Sequence, residues 1–308
     1  MQIAIVLNPR SGRGKAQKAS EALCAGLEER GHGVVLCQTG EDHAEIESTI
    51  AGADRVVVVG GDGTVHHLLG VLMRAGVAMY HLGTGTANLI SKEFGMSRSP
   101  RRVIEHLEQG GEPTLVDVPE CNGCPFLIMV SLGIDASVIH RFEESRKNSG
   151  GYRAYVQPIV REVFSPRPAR YSVLAGDPSD GEHTQPPYSD RGILVVSNMR
   201  SYGGAFNPSP RALANDGLLD AVSVRCRSSV GGGMQYGVLR MRLSSPTMKR
   251  FVSESFVIRC EEGAACVQLD GERAMHVGGL SDGVLDTGQV LEVRMVGQKL
   301  AVHAPVRA

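Results

Sequence analysis

Along the first third of the chain the apolar pattern changes period repeatedly. "QIAIVL", "GVVLCQT", "RVVVV" and "AMYHL" are strand-like runs, and Val56 to Val59 in particular read as a short buried strand of a parallel sheet. Between these runs the spacing is helical, from about Ala16 to Arg30, near 42 to 51 and near 65 to 75, where apolar residues recur at 65, 68, 69, 72 and 73. Such alternation with short glycine-bearing links predicts a parallel sheet flanked by helices. After about Pro113 the texture shifts to short runs broken by Gly, Pro, Asn and Asp, among them "FLIMVSLGI", "ILVVSN", "SFVIRC" and "ACVQLDGE". That pattern predicts an all-β sandwich. One helical stretch, about 137 to 164, interrupts it, and the polar segment 175 to 192 reads as a long exposed loop. The expected division is therefore an α/β domain over 1–117 and a β-sandwich over 118–308, with the C-terminal tail able to pack back on the first domain.

Ligands of open α/β sheets sit beyond the C-terminal strand ends. Three loops leave those ends: "NPRSGRGK" at 8 to 15, "GGDGT" at 60 to 64 and "GTGTAN" at 83 to 88. A glycine-rich turn opening a helix presents backbone N–H groups and the positive end of the helix dipole, a setting for phosphate. The alternative is a tight turn that needs a single positive φ, which one glycine satisfies. The first loop lacks the GxxxxGK[ST] frame, and "SGRGKAQ" lacks the third glycine of GxGxxG, which disfavours P-loop and dinucleotide enzymes.

With 308 residues the chain is long enough for two domains, and a formal charge of -1 with dispersed basic residues argues against nucleic acid as a partner. Seven cysteines with no apolar leader after "MQIAIVLNPR" predict free thiols and a cytoplasmic setting. The one CxxC, Cys121 to Cys124, has no matching second pair for zinc, and Asn122-Gly123 predicts a type I′ hairpin. The apolar runs fall short of a membrane span, so any membrane contact is peripheral.

Taken in order, "NPRSG", "GGDGT", "GTGTAN", "SLGIDA", "DGLLD" and "LDGE" resemble the diacylglycerol kinase catalytic family, which also holds sphingosine and ceramide kinases, and they look most like its bacterial soluble branch. The resemblance implies an ATP-dependent lipid kinase that phosphorylates the hydroxyl of diacylglycerol or a related lipid alcohol, with an active cleft between its domains. It also implies a homodimer and peripheral contact with the inner membrane face. By similarity Gly60, Gly61, Asp62, Gly63 and Thr64 cradle the phosphates, with Val65, His66, Thr39, Gly85 and Thr86 as further nucleotide contacts. Asn8, Ser11, Gly12 and Asn88 match motif positions lining the same site, and Lys15 would supply charge. Mg²⁺ would be held by the phosphates and Asp62. Asp270 is the implied general base with Glu272 in support, against the plain reading of a DG turn bearing two solvated acids. In "RALANDGLLD" the resemblance implies a second, structural magnesium held by the Asp216 carboxylate and the carbonyls of Leu213 and Leu218; the alternative is an Asp-Gly turn opening a strand. Asp135 either orients the site or caps a helix beginning near Ala136.

Some positions depart from the family pattern. His67 stands where an acid is usual, Leu89 follows "GTAN" where Asp is common, and "YGGAF" keeps two glycines where three are frequent. Adjacent helix side chains diverge by about 100°, so His66 and His67 are not expected to share an ion. The mixed basic and aromatic stretch 140 to 164 is the candidate for acceptor or membrane contact, or else an amphipathic helix packed on the sandwich. The competing functions are a catalytically silent nucleotide- and lipid-binding regulator, and an NAD kinase, whose glycine loop is similar.

Overall fold

A computed structural model of the chain describes residues 1–145, 168–176, 187–202, 207–226 and 248–305. It divides into two compact units, Met1–Asp117 with Gln298–Ala308, and Val118–Gly297.

In the first unit strands and helices alternate: β1 (Gln2–Leu7), α1 (Lys15–Glu29), β2 (Gly33–Gln38), α2 (His43–Ala51), β3 (Arg55–Gly60), α3 (Asp62–Ala75), β4 (Met79–Gly83), α4 (Leu89–Glu93), α5 (Pro100–Glu108) and β5 (Thr114–Asp117). Strands β1, β3 and β4 are buried almost throughout, which is why β1 and β3 are aliphatic runs without polar alternation. They pair in parallel, with β2 at the sheet edge. Helix α3 starts at Asp62, three residues ahead of the apolar periodicity at Val65, because Gly61 is its N-cap and the Thr64 hydroxyl accepts the Gly61 N–H at 3.3 Å. The glycine motif therefore runs from the end of β3 into the first turn of the helix itself.

The second unit runs β6 (Glu120–Cys121), β7 (Cys124–Pro125), β8 (Met129–Gly133), α6 (Ile134–Ser145), β9 (Arg170–Ala175), β10 (Tyr188–Ser197), β11 (Leu219–Arg225), β12 (Met248–Ser253), β13 (Ser255–Glu262), β14 (Ala264–Leu269), β15 (Glu272–Arg273), β16 (Val284–Asp286) and β17 (Val290–Arg294). Strand β10 makes the corner of the sandwich. Its first half, Tyr188 to Arg191, pairs with β9, and its second half, from Ile193 on, lies between β8 and β11. The bend falls at Gly192, φ 137°, where a Cβ would stand 2.2 Å from the Val224 carbonyl oxygen. Between the two layers lie Phe126, Leu132, Tyr171, Leu194, Phe256 and Val267, all fully buried. The chain then re-enters the first unit as β18 (Lys299–Val302), parallel to β4 and antiparallel to β5, giving the order β2-β1-β3-β4-β18-β5. The Lys299 ammonium pairs there with the buried Asp117 carboxylate.

Cys121 and Cys124 face each other across the β6–β7 hairpin, with φ of 45° at Asn122 and 77° at Gly123 as a type I′ turn requires. Burial pushes both thiols up. The helix expected near Ala136 begins at Ile134, so Asp135 lies inside its first turn and is not an N-cap. Residues 146 to 164 of the proposed acceptor stretch, the centre of the 175–192 segment (177–186) and Gly203 to Phe206 lie outside the described residues. Among the described residues no helix is long and apolar enough to cross a membrane.

Candidate active-site residues

In the first unit the loops leaving β1, β3 and β4 meet. The Asn8 side-chain amide donates to the Thr64 hydroxyl at 2.9 Å, Thr84 N–H donates to the Gly60 carbonyl at 2.7 Å, and the Thr84 hydroxyl donates to the Ser11 hydroxyl at 2.8 Å. Asn88 closes its own loop, accepting the Gly85 N–H and donating to the Gly85 carbonyl, both at 2.8 Å. Asp62 Oδ1 accepts the Ile90 N–H at 3.1 Å, tying the third loop to the start of α3. Glycine is what permits this approach. A Cβ on Gly85 would stand 2.8 Å from Gly61 Cα, and one on Gly12, at φ +64°, would stand 2.5 Å from the Thr84 carbonyl oxygen. The first turn of a helix leaves its N–H groups without intrahelical partners, so Asp62 and Gly63 present amides at a glycine-walled turn suited to phosphate oxygens.

The remaining expected contacts lie around this turn. Lys15 opens α1 and is exposed, Thr86 is exposed at its loop tip, and Thr39 follows β2 with its N–H on the Leu7 carbonyl at 2.9 Å, one residue before Asn8. Val65 is fully buried, so its side chain belongs to the core and only its backbone is near the motif. The rings of His66 and His67 meet edge to face with centroids 5.7 Å apart. His81 is fully buried: its Nε2–H donates to the Gly60 carbonyl at 3.2 Å and its Nδ1 pairs with the Ser91 hydroxyl at 3.0 Å. Burial pulls the His81 pKa down, and the ring is a brace between β3 and α4 in place of a metal ligand.

In the second unit Asp270 and Gly271 form the two-residue turn between β14 and β15, with φ of 52° and 88° and Leu269 opposite Glu272. The turn is of the expected kind, but Asp270 is not solvated. It is 5% exposed, and its carboxylate accepts three successive backbone amides: Leu127 on Oδ2 at 2.8 Å, Ile128 on Oδ1 at 2.7 Å and Met129 on Oδ1 at 3.0 Å. Glu272 is half-buried at the head of β15. Behind the turn, Gln268 accepts the Gly271 N–H at 2.6 Å and donates to the Ser131 hydroxyl at 2.8 Å, and Ser131 in turn donates to Asp135. Burial, the largest effect, raises the Asp135 pKa against the hydrogen bonds it accepts from Ser131, Tyr202 and Gln268.

Asp216 and Gly217 form an exposed turn just ahead of β11, with Asp216 Oδ1 accepting the Leu218 N–H at 3.1 Å. Burial and then the Asp216 charge raise the Asp220 pKa. Two nearby carboxyls and local carbonyls are an all-oxygen donor set, which suits a hard divalent cation. Among the described residues there is no cluster of three or more His, Cys, Asp or Glu able to hold a metal unaided.

The profile of the diacylglycerol kinase catalytic domain matches residues 2–120, and that of the YegS C-terminal NAD kinase beta sandwich-like domain matches residues 128–302. The chain belongs to the diacylglycerol kinase family. It is 31% identical over 228 residues to a diacylglycerol kinase of Mycobacterium tuberculosis, covering 71% of this chain and 72% of that one. A "Probable lipid kinase YegS-like" protein of Pseudomonas syringae is 31% identical over 179 residues, 56% of this chain and 55% of its own. In fold the chain is similar to a diacylglycerol kinase from Bacillus anthracis, with a TM-score of 0.63 at 16% identity over 99% of this chain and 98% of that one. Membership supports a lipid kinase, and with it a nucleotide phosphoryl donor.

Sequence reasoning did not single out Thr84, Ile90 or Ser91, whose roles arise only once the loops meet, nor the Asp117–Lys299 pair, whose members are 182 positions apart. Gln268 left one signal, a polar residue between two apolar ones in a strand buried on both faces.

Proposed function

We propose that the chain is an ATP-dependent lipid kinase acting on the hydroxyl of diacylglycerol or a related lipid alcohol. The observation that carries this reading is the convergence of three glycine-bearing loops at the N-terminus of α3, with Gly61 and Gly85 in backbone contact. When bound, ATP supplies the γ-phosphoryl group and Mg²⁺ the positive charge on its phosphates. The amides of Asp62 and Gly63 would hold phosphate oxygens, Lys15 would add charge and Asp62 would hold the metal. Asn8, Ser11, Thr64 and Asn88 fix the loops that present those groups. Asp270 takes the proton of the acceptor hydroxyl as its oxygen bonds to phosphorus and ADP leaves, with Glu272 as the supporting carboxylate. Asp216 and the carbonyls of Leu213 and Leu218 would hold a second Mg²⁺ that steadies the turn before β11. The acceptor resides in a bilayer, so the reading includes peripheral contact with the inner membrane face.

The test is phosphorylation by γ-labelled ATP with Mg²⁺ across diacylglycerol, monoacylglycerol, sphingosine and ceramide in mixed micelles, with Asp270→Asn alongside. A labelled lipid that disappears in the variant supports both the activity and the base. A second reading rests on the burial of Asp270 beneath three amides, as befits a purely structural aspartate: a regulator that binds nucleotide and lipid without turnover. Nucleotide binding with no labelled lipid and no labelled NAD selects that reading.

A further inference from the structure

Helix α6 is joined to the β14–β15 hairpin at three successive points. From its first turn, Asp135 connects through Ser131 and Gln268 to the Gly271 N–H. From its middle, His140 Nε2–H donates to the Val267 carbonyl at 2.8 Å. From its third turn, Glu143 Oε1 accepts the Arg273 N–H at 2.9 Å. The bonds to Gly271 and Arg273 flank Glu272 on either side, and Gly271 is the residue after Asp270. Packing reinforces the junction, since a Cβ on Gly283 would stand 3.1 Å from the His140 ring and 3.0 Å from the Arg273 side chain. Arg273 is itself held by Asp282.

A two-residue turn between short strands has few bonds of its own. Among the described residues only Gln268 and Leu269 pair with β15, so the conformation of residues 270 to 273 depends on what grips it from outside. Asp270 is anchored by the amides of 127 to 129, whereas the two backbone N–H groups that frame Glu272 are held by side chains, and of these the Glu143 contact comes directly from α6.

We propose that α6 sets the position of the Asp270–Gly271–Glu272 turn, with Glu143 and Asp135 as its positioning residues. This rests on the reading of Asp270 and Glu272 as the acceptor-side carboxylates. Removing a grip while the turn remains folded displaces Glu272 relative to Asp270, and a small displacement of a reacting group is costly to rate.

The experiment compares Glu143→Leu, Glu143→Gln and Asp135→Asn in the full chain, with Asp270→Asn as the reference. The Leu variant loses the acceptor for Arg273 N–H; the Gln variant keeps a carbonyl oxygen there. For Glu143→Leu the expected result is a fall in kcat of about tenfold or more with the KM for ATP unchanged, and recovery to within about threefold in Glu143→Gln. Amide hydrogen exchange supplies a readout that needs no turnover: Arg273 N–H exchanges faster in the Leu variant while the amides of β11 and β13 do not. For Asp135→Asn, which still accepts from Ser131, both readouts stay close to those of the unaltered protein. Accelerated exchange at Arg273 with unchanged kcat overturns the proposal, as does unchanged exchange in Glu143→Leu. If Asp270→Asn retains full activity, the acceptor-side reading fails instead, and the exchange data still decide whether α6 holds the turn.

Discussion

Two of the Asp-Gly dipeptides of the second unit, at 216–217 and 270–271, differ in almost everything except the left-handed glycine, since Asp270 itself has φ 52° and Asp216 has no positive φ. Both glycines have positive φ, 76° and 88°, and a Cβ on either would meet nothing within 4 Å. At 216 the carboxylate is exposed and accepts one amide, two residues along the chain. At 270 the carboxylate is buried and gathers three amides from a segment more than 140 positions away. One aspartate shapes a local turn; the other pins two distant stretches of the fold together. A shared dipeptide thus specifies a turn, while the structural weight of its carboxylate is set by what packs over it.

The sharpest way to break this comparison is truncation. Asp270→Ala leaves the amides of Leu127, Ile128 and Met129 buried without that acceptor and should cost about 3 kcal/mol or more in urea unfolding, whereas Asp216→Ala should cost about 1 kcal/mol or less. Equal losses would mean that the three amides find other partners. Next in size is Asp270→Asn, in which an NH₂ must face one of the amides; the expected loss is about 1–3 kcal/mol, so kinase assays of this variant belong well below its melting temperature. Replacing the glycines sharpens the contrast from the other side. Gly217→Ala and Gly271→Ala should each lose about 1 kcal/mol, and to a similar degree, because both substitutions strain only the backbone. A markedly larger loss at 271 would show the β14–β15 turn, left-handed at both Asp270 and Gly271, to be the less tolerant of the two.

The smallest effect is electrostatic. Asp220 titrates above its usual value of 3.8 because of burial and then the charge of Asp216. A folded-state pKa above the unfolded one means that the folded form binds the proton more tightly, so this contribution to stability is present below 3.8 and is lost as pH rises through the raised value. Asp216→Asn should bring the Asp220 titration down, followed by carboxyl NMR, and Mg²⁺ should do the same in the unaltered protein if the Asp216 site takes the ion. A position insensitive to both would remove the coupling.

Strands β1 and β3 of the first unit were legible because burial on both faces leaves an unmixed aliphatic run, as in Val56 to Val59. The start of α3 was misplaced by three residues, since Asp-Gly-Thr carries no apolar period and its helical state depends on the cap made by Thr64. The β6–β7 turn was legible from Asn122-Gly123 alone. The burial of Asp270 was not, because the amides that receive it belong to Leu127, Ile128 and Met129, and no local pattern records a partner that distant. The same limit hid the link between Gln268 and Ser131, which arises only through the register of β14 on β8.

The position of β18 bears on the order of events at the ribosome. Residues 1–117 are synthesised first, yet the interior place between β4 and β5 is filled by residues 299–302. Until those emerge, β5 lacks the strand it pairs with and Asp117 lacks its lysine. The nascent first unit must therefore wait, with an open seam in its sheet, through translation of the whole second unit, and a ribosome stalled anywhere before Lys299 would display that seam to chaperones and to other chains.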